Sequence, residues 1–494
     1  MRCAKLSLFL FMYSDVLVIG GGAAGLMAAC GAARTLATAG SSASVTVLER
    51  MPRPARKIMI TGKGRCNFTN VKDWNSFSSH IRTNPNIVRP AFYNFTPQDS
   101  LAFFEGLGMP TVVERGDRAY PASHHASDVI DALVRACTAA GVKIITGVEA
   151  KQIEYGVATK TGQGSFRVDG NYRSDCLIIA TGGLSYPTTG STGDGYRFAE
   201  AAGHSITPLF PSLTALVPRG YKQTLMPLAD DPAQRGIQPG DQAVLDASPH
   251  HLDRSLPLAD LGKALCGQQL KNIGVQLLVE GTVAQEEFGD VDFTDGGLEG
   301  PVGFQISRKA VKSLLNGSRV AVVLDLKHGV PASELTARIA ELKAQIERDP
   351  RSKRLGDKEK TRILLGKLMP WDLIPAFRQM NPSLGAAGHH GKAGADSRGW
   401  SCADPAAIAA ALKSWRFDID GYVGYERAVV TAGGVDTSEV IAKTLESRKM
   451  PGLYFCGEVL DIDADTGGYN LQLAFATGAL AGRSAARSLL PAEA

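Results

Sequence analysis

Residues 60–70, "ITGKGRCNFTN", hold two glycines, Lys63, Arg65, Cys66, Asn67 and Asn70 in eleven positions. A buried strand would not carry so many polar groups, and a helix would not carry the glycines. Gly62 and Gly64 let a backbone approach a bound group closely. The cationic Arg65 beside Cys66 could lower the thiol's pKa and make it reactive. The bland alternative, a small residue filling a tight turn, is favoured, because no CxxC occurs to supply a partner thiol.

Residues 15–25, "DVLVIGGGAAG", read as an apolar strand ending in Gly20, Gly22 and Gly25 at GxGxxG spacing. "LMAACGAARTLA" then continues with helical character. In this setting the first glycine makes the tight turn, and the second lets the backbone meet a pyrophosphate. The third lets the helix pack on the sheet, with the helix N-terminus facing the phosphates. A second strand, "SVTVLER", ends in Glu49, whose carboxylate can accept both ribose hydroxyls of an adenosine. This set marks a dinucleotide site. The motif opens the chain, and the 60–70 loop follows the second strand closely, which favours FAD over NAD as the resident nucleotide.

Two further segments belong with it. Cys176–Ala180 is an apolar run that turns at Thr181, Gly182 and Gly183, an end suited to covering an adenosine or a pyrophosphate. Near the other terminus a strand ends in Gly457 and Glu458, placed to bond ribityl hydroxyls. Then "TGGYNLQ", with Gly467, Gly468, Tyr469, Asn470 and Leu471, opens a helix. Free N–H groups at that helix start would stabilise the anion of a reduced flavin.

The rest of the chain must position these groups. At 494 residues it can hold two or three domains. Short alternating runs, "LTALVPR", "VQLLVEG" and "VAVVLDL", predict antiparallel strands. Leu335, Ile339, Leu342 and Ile346 predict one face of a helix. Hydrophobic content of 44% with 21% charged residues is ordinary for a globular protein, and a net charge of +4 gives no reason to expect nucleic acid. The run "RDPRSKRLGDKEKTR" mixes both signs and reads as a solvated face. Eight scattered cysteines argue against a disulfide framework or a metal centre and fit a reducing cytoplasm. The paired histidines at 124–125, 250–251 and 389–390 read as surface loops. Residues 1–12, with "LSLFLFM", read as an extension outside the fold, with Met12 as the natural start and residues 1–11 dispensable. No apolar run is long enough for a transmembrane helix.

Taken together, "DVLVIGGGAAGLMAA", "ARKIMITGKGRCNFTN", "ATGGLSYPTTGSTGDGYRFAEAAGH" and "PGLYFCGEVLDIDADTGGYNLQLAFATGALAG" resemble the BaiN/YhiN-like NAD(P)/FAD-dependent oxidoreductases, the aminoacetone-oxidase-family FAD-binding proteins. The resemblance implies an α/β fold: a Rossmann-like FAD-binding domain from both chain ends (13–210 and 425–494). It also implies an inserted β-barrel-like domain (211–330 and 413–424) and a helical insert (331–412). It implies further cofactor-lining residues, Ala23, Ala24, Arg50, Lys57 and Asp461, beside those above. Arg65 would then meet phosphate or flavin, and Asn67 the ring's edge.

The chain departs from the family's usual FTH-x-G-x-SGP, reading "FTDGGLEGP". Asp295 and Glu299 should make that loop more anionic. Extra sequence at 230–260 and 381–400 reads as loops that could reshape a substrate entrance.

The activity implied is hydride transfer between flavin N5 and a small or medium organic substrate, with NAD(P)H as reductant. Alternatives are an amine oxidase using oxygen, a flavin-dependent RNA-modifying protein, and a non-catalytic redox sensor. No catalytic acid or base is evident; Tyr186 and Tyr469 are candidates by position only. No nucleic-acid or membrane partner is expected, and the oligomeric state is open. The protein should purify yellow, with non-covalent FAD released by acid or heat; a colourless protein that FAD cannot reconstitute would remove the reading.

Overall fold

The computed structural model describes residues 12–157, 165–223, 252, 255–384 and 404–491. Most of the extra sequence at 230–260 and 381–400, the histidine pairs at 250–251 and 389–390, and residues 1–11 lie outside them. The chain forms two compact units, Met1–Ser212 with Ala428–Ala494, and Leu213–Arg427.

The first unit is built on a seven-stranded sheet. Lys143–Thr146, Val45–Glu49, Met12–Ile19 and Tyr172–Ile179 lie side by side and parallel. The edge of Tyr172–Ile179 is then divided. Its first half pairs antiparallel with Ser165–Val168, which pairs with Ile153–Val157. Its second half pairs parallel with Leu453–Phe455, from the far end of the chain. Val16, Leu17 and Val18 are at most 1% exposed, as a strand covered on both faces requires. The first strand begins at Met12, earlier than the apolar run suggests: Met12 and Tyr13 register with Tyr172 and Arg173, and the Met12 amide donates to the Asn171 carbonyl. A small three-stranded sheet of Thr69–Asn70, Arg118–Pro121 and Thr111–Glu114 carries the end of the 60–70 loop.

Two helices cover the sheet beside the nucleotide turn. Ala23–Thr38 follows the glycines, and Tyr469–Ser488 closes the fold. Their axes come close because small residues face each other. A methyl group on Gly482 would lie 1.9 Å from the Ala28 carbonyl oxygen, and one on Gly478 would lie 2.3 Å from that of Ala24. Gly31 faces the Ala479 carbonyl at 3.2 Å. Gly478 and Gly482, four apart, form one stripe of the last helix.

The second unit holds a closed barrel of six antiparallel strands: Leu216–Pro218, Leu298–Glu299, Thr282–Phe293, Gln269–Val279, Val320–Asp325 and Trp415–Tyr422. Trp415, Phe417 and Phe293 pack in its interior. The same unit contains the helices Gly300–Leu315, Ala332–Arg348, Asp357–Gly366, Ile374–Met380 and Pro405–Lys413. In Ala332–Arg348, Leu335, Ile339 and Ile346 are buried, and Leu342 lies at the margin.

Gly482→Ala should destabilise the first unit by about 1–3 kcal/mol through overpacking at the helix crossing. Thermal unfolding of the flavin-free protein checks this, and an unchanged Tm would show that the helices can move apart at no cost.

Candidate functional site

The glycine turn sits at the carboxyl end of the first strand. Gly20 has φ of 101°, and a side chain there would meet the Ala180 carbonyl oxygen at 2.5 Å. A methyl on Gly25 would fall 1.9 Å from the Gly20 carbonyl oxygen. Both positions therefore hold glycine for internal reasons. Gly22 differs: its backbone is extended, and a methyl there would meet nothing within 4 Å. The first helical bond runs from Leu26 N to the Gly22 carbonyl, so the Ala23, Ala24 and Gly25 amides precede the helical ladder.

Glu49 ends the second strand, 8% exposed. One carboxylate oxygen accepts from the Gly21 amide at 2.7 Å and the other from the Met51 amide at 2.7 Å. Burial raises its pKa, while those two amides and the Arg50 charge oppose the rise. Its remaining lone pairs are the acceptors available to a ribose. Arg50 pairs with Asp194 and Glu149, each at 2.9 Å. Thr181, Gly182 and Gly183 lie just past the Tyr172–Ile179 strand. Close packing around Gly183, where a methyl would sit 2.5 Å from Thr431 Oγ1, explains that glycine.

The 60–70 loop is sharply folded. Gly62, Lys63, Gly64 and Cys66 all have positive φ, of 57°, 57°, 86° and 55°. Arg65 is tied to neighbouring side chains. It pairs with Glu114, contacts His124 Nδ1 at 2.9 Å and lies 4.4 Å from the centre of the Tyr120 ring. It does not activate Cys66, whose thiol is fully buried and pushed up to about 12 by burial. Cys66 is a packing residue and a neutral thiol at pH 7. Asn67 behaves differently. Its Oδ1 is buried with no hydrogen-bond partner, a state that calls for a donor.

The C-terminal elements meet this loop. Gly468, with φ of 94°, precedes the last helix, and a methyl there would lie 2.4 Å from the Thr69 carbonyl and 2.8 Å from Asn67 Oδ1. The first helical bond runs from Gln472 N to the Gly468 carbonyl, so the Tyr469, Asn470 and Leu471 amides precede the ladder beside Asn67. Asn470 secures the turn, accepting from Ala464 N at 2.9 Å and donating to the Ala464 and Asp465 carbonyls. Asn70 donates to the Gly467 carbonyl at 3.1 Å. Gly457 has φ of 77° and donates to Thr477 Oγ1 at 3.0 Å. The Asp461 amide donates to the Val435 carbonyl.

Glu458 is more committed than a ribityl acceptor needs to be. It accepts from Lys57 Nζ at 2.7 Å, from Ser185 Oγ and from Thr431 N at 2.8 Å. Ser185 and Thr431 are therefore part of this site, although neither lies in a glycine motif. Also unforeseen is the cluster beside Tyr469. Asp465 is bound by Arg82 and by His80 Nδ1 at 3.0 Å, and His80 stacks on the buried Tyr469 ring at 4.3 Å. The Tyr469 ring is held by this packing. Tyr186 is half-buried with φ of 51°. In the second unit, the loop expected to be anionic has one cation against its two carboxylates: Arg427 binds Asp295 at 2.7 Å, both oxygens of Glu299, and Thr294. Among the described residues no cluster could hold a metal ion.

The family model described as the HI0933-like protein Rossmann domain matches residues 14–484. The chain belongs to this family. It is an FAD-dependent oxidoreductase. Similar proteins include the 3-dehydro-bile acid delta(4,6)-reductase of Clostridium scindens, 31% identical over 95% of this chain and 98% of the other. The ribosomal RNA dihydrouridine synthases of Haemophilus influenzae and Escherichia coli are 29% and 27% identical, each over 94% of this chain and 96% of the other. Distant likeness extends to the open form of a flavocytochrome c3 fumarate reductase (16% identical, 97% of this chain and 79% of that one, TM-score 0.42). The HI0933-like residues fit FAD on three observations: the open space at Gly22, the helix-start amides, and the orphaned Asn67 oxygen.

Gly22→Val separates cofactor binding from folding. The flavin-free variant should melt like the parent, because a Cβ at this position meets no protein atom within 4 Å. FAD affinity should fall roughly 100-fold or more, as losing two charge-assisted hydrogen bonds would cause. Flavin titration with a parallel melt checks both, and normal flavin occupancy would count against placing the pyrophosphate here.

Proposed function

We propose that this chain reduces a carbon–carbon double bond conjugated to a carbonyl, using NAD(P)H as reductant. The observation that carries the reading is the start of the last helix. There the Tyr469–Leu471 amides precede the helical ladder, and Gly468 packs beside Asn67 Oδ1. Bound FAD supplies hydride transfer at N5. The chain's part is to hold the flavin's pyrimidine edge and favour negative charge there through preorganised donors. Glu458 and Lys57 neutralise each other, and Ser185 and Thr431 fix that pair in place. The buried Cys66 thiol argues against dithiol chemistry.

The names of the similar proteins support the substrate class. A 3-dehydro-delta(4,6) skeleton conjugates its double bonds with a 3-carbonyl. Dihydrouridine is uridine saturated at the ring double bond conjugated with a carbonyl. The chemical core is the same in a steroid ring and a pyrimidine.

Anaerobic mixing with NADPH or NADH should bleach the flavin, and a 4,6-dien-3-one steroid or another activated alkene should restore the colour. Slow bleaching by both nucleotides, with fast reduction by an amine and turnover with oxygen, would replace this reading by an amine oxidase.

A further inference from the structure

The net charge of +4 hides a strong asymmetry. Residues 348–378 hold nine basic and four acidic side chains, a net +5, so the rest of the chain is close to neutral. This stretch covers the end of Ala332–Arg348, the short turn Pro350–Arg354, Asp357–Gly366, and Trp371–Leu373 running into Ile374–Met380. Arg351, Lys353, Arg354, Lys358 and Lys367 are exposed and make no ion pair among the described residues. Of the acids, Asp349 caps the Arg351 amide at 2.9 Å, and Glu359 lies 3.6 Å from Arg362. Both are thereby drawn into local contacts. The run that reads as a mixed, solvated face is thus cationic on balance where it is exposed.

An aromatic group sits within it. Trp371 is 47% exposed, while Trp415 is buried in the barrel. The ring of Trp371 is held in place: a methyl on Gly366 would lie 2.5 Å from its Cε2 and Cζ2, and the Arg362 guanidinium lies 5.2 Å from its centre. Lys358, Arg362 and Gly366 follow each other at four-residue spacing, so they share one stripe of the helix with Trp371 at its end. An exposed indole supported in this way, with Arg362 beside it and further cations in the same stretch, suits a base that stacks while its phosphates meet lysine and arginine.

We propose that residues 350–371 form a docking surface for RNA with unpaired bases. This deepens the proposed function: it rests on that reading by supplying the carrier of a reducible pyrimidine. Unpaired RNA is favoured over duplex because a single exposed ring can stack only on a base outside a helix.

The test uses the FAD-loaded full chain and a fluorescein-labelled RNA stem-loop with a uridine-rich loop, with anisotropy read across a salt series. The parent should bind the RNA more tightly than its DNA counterpart and more tightly than phosphatidylserine vesicles. Trp371→Ala should weaken binding about 5- to 150-fold at an unchanged salt slope, the range for one lost base stack. Arg351→Glu/Lys353→Glu/Arg354→Glu should weaken it further and flatten the salt slope by roughly 2, near 0.7 per lost phosphate contact. Both variants should keep parental flavin content and enone reduction. Parental RNA affinity in either variant overturns the proposal, as does equal or tighter binding to the DNA or the vesicles. Loss of enone reduction in the parent, with RNA binding intact, would overturn the proposed activity and leave the docking surface standing.

Discussion

The site depends on how closely the first and last helices approach. Gly478 and Gly482 put the backbone of Tyr469–Ser488 against the carbonyls of Ala24 and Ala28. A side chain at either glycine would push the helices apart, because a Cβ cannot sit near 2 Å from a carbonyl oxygen. That contact fixes the last helix on the glycine-turn helix, while Leu453–Phe455 enters the sheet beside Tyr172–Ile179. Two helix N-termini, separated by most of the chain in sequence, are thereby fixed relative to one sheet. A dinucleotide-sized ligand needs both, one for its phosphates and one for its redox end.

Once that frame is set, the charges around it are largely paired. Lys57 meets Glu458, Arg82 meets Asp465, Arg50 meets Asp194, and Arg65 meets Glu114. Each pair lies in a partly buried place, where a lone charge would be costly. The helix-start amides beside these pairs belong to the backbone, which keeps its orientation when charge appears nearby. A mobile lysine in the same place would have to reorganise first.

Much of this was legible in the residues because it is local. The turn glycines, the Glu49 strand end and the Gly467–Gly468 helix start each follow from spacing. Spacing does not show a partner that lies far away in the chain. Arg65 looked available because nothing nearby signals Glu114, which sits on a strand of the small sheet. The two carboxylates of "FTDGGLEGP" share Arg427, more than a hundred residues later, a partial compensation that spacing does not show. Ser185 and Thr431 were invisible because a hydroxyl in a loop gives no periodic signal. Met12 belongs to the first strand through its pairing with Tyr172, where hydropathy alone points further along.

The loop from Thr61 to Asn70 shows how such a site is held together. Lys63 and Cys66 adopt left-handed backbone conformations that each cost about 1–3 kcal/mol in a residue with a side chain. Gly62 and Gly64 adopt the same region with no such penalty. The strained residues are stabilised from within: burial holds Cys66, and Phe68 beyond it packs fully buried on the Phe104 ring. A ligand bound 100-fold above its dissociation constant adds about 2.7 kcal/mol to stability, the same size as the strain. The loop's conformation is costly alone, and a ligand that donated to the Asn67 oxygen would offset part of that cost. This explains why a cysteine is kept in a loop where its thiol does no chemistry. A small apolar side chain can be buried at a positive φ while its neighbours carry the polar contacts.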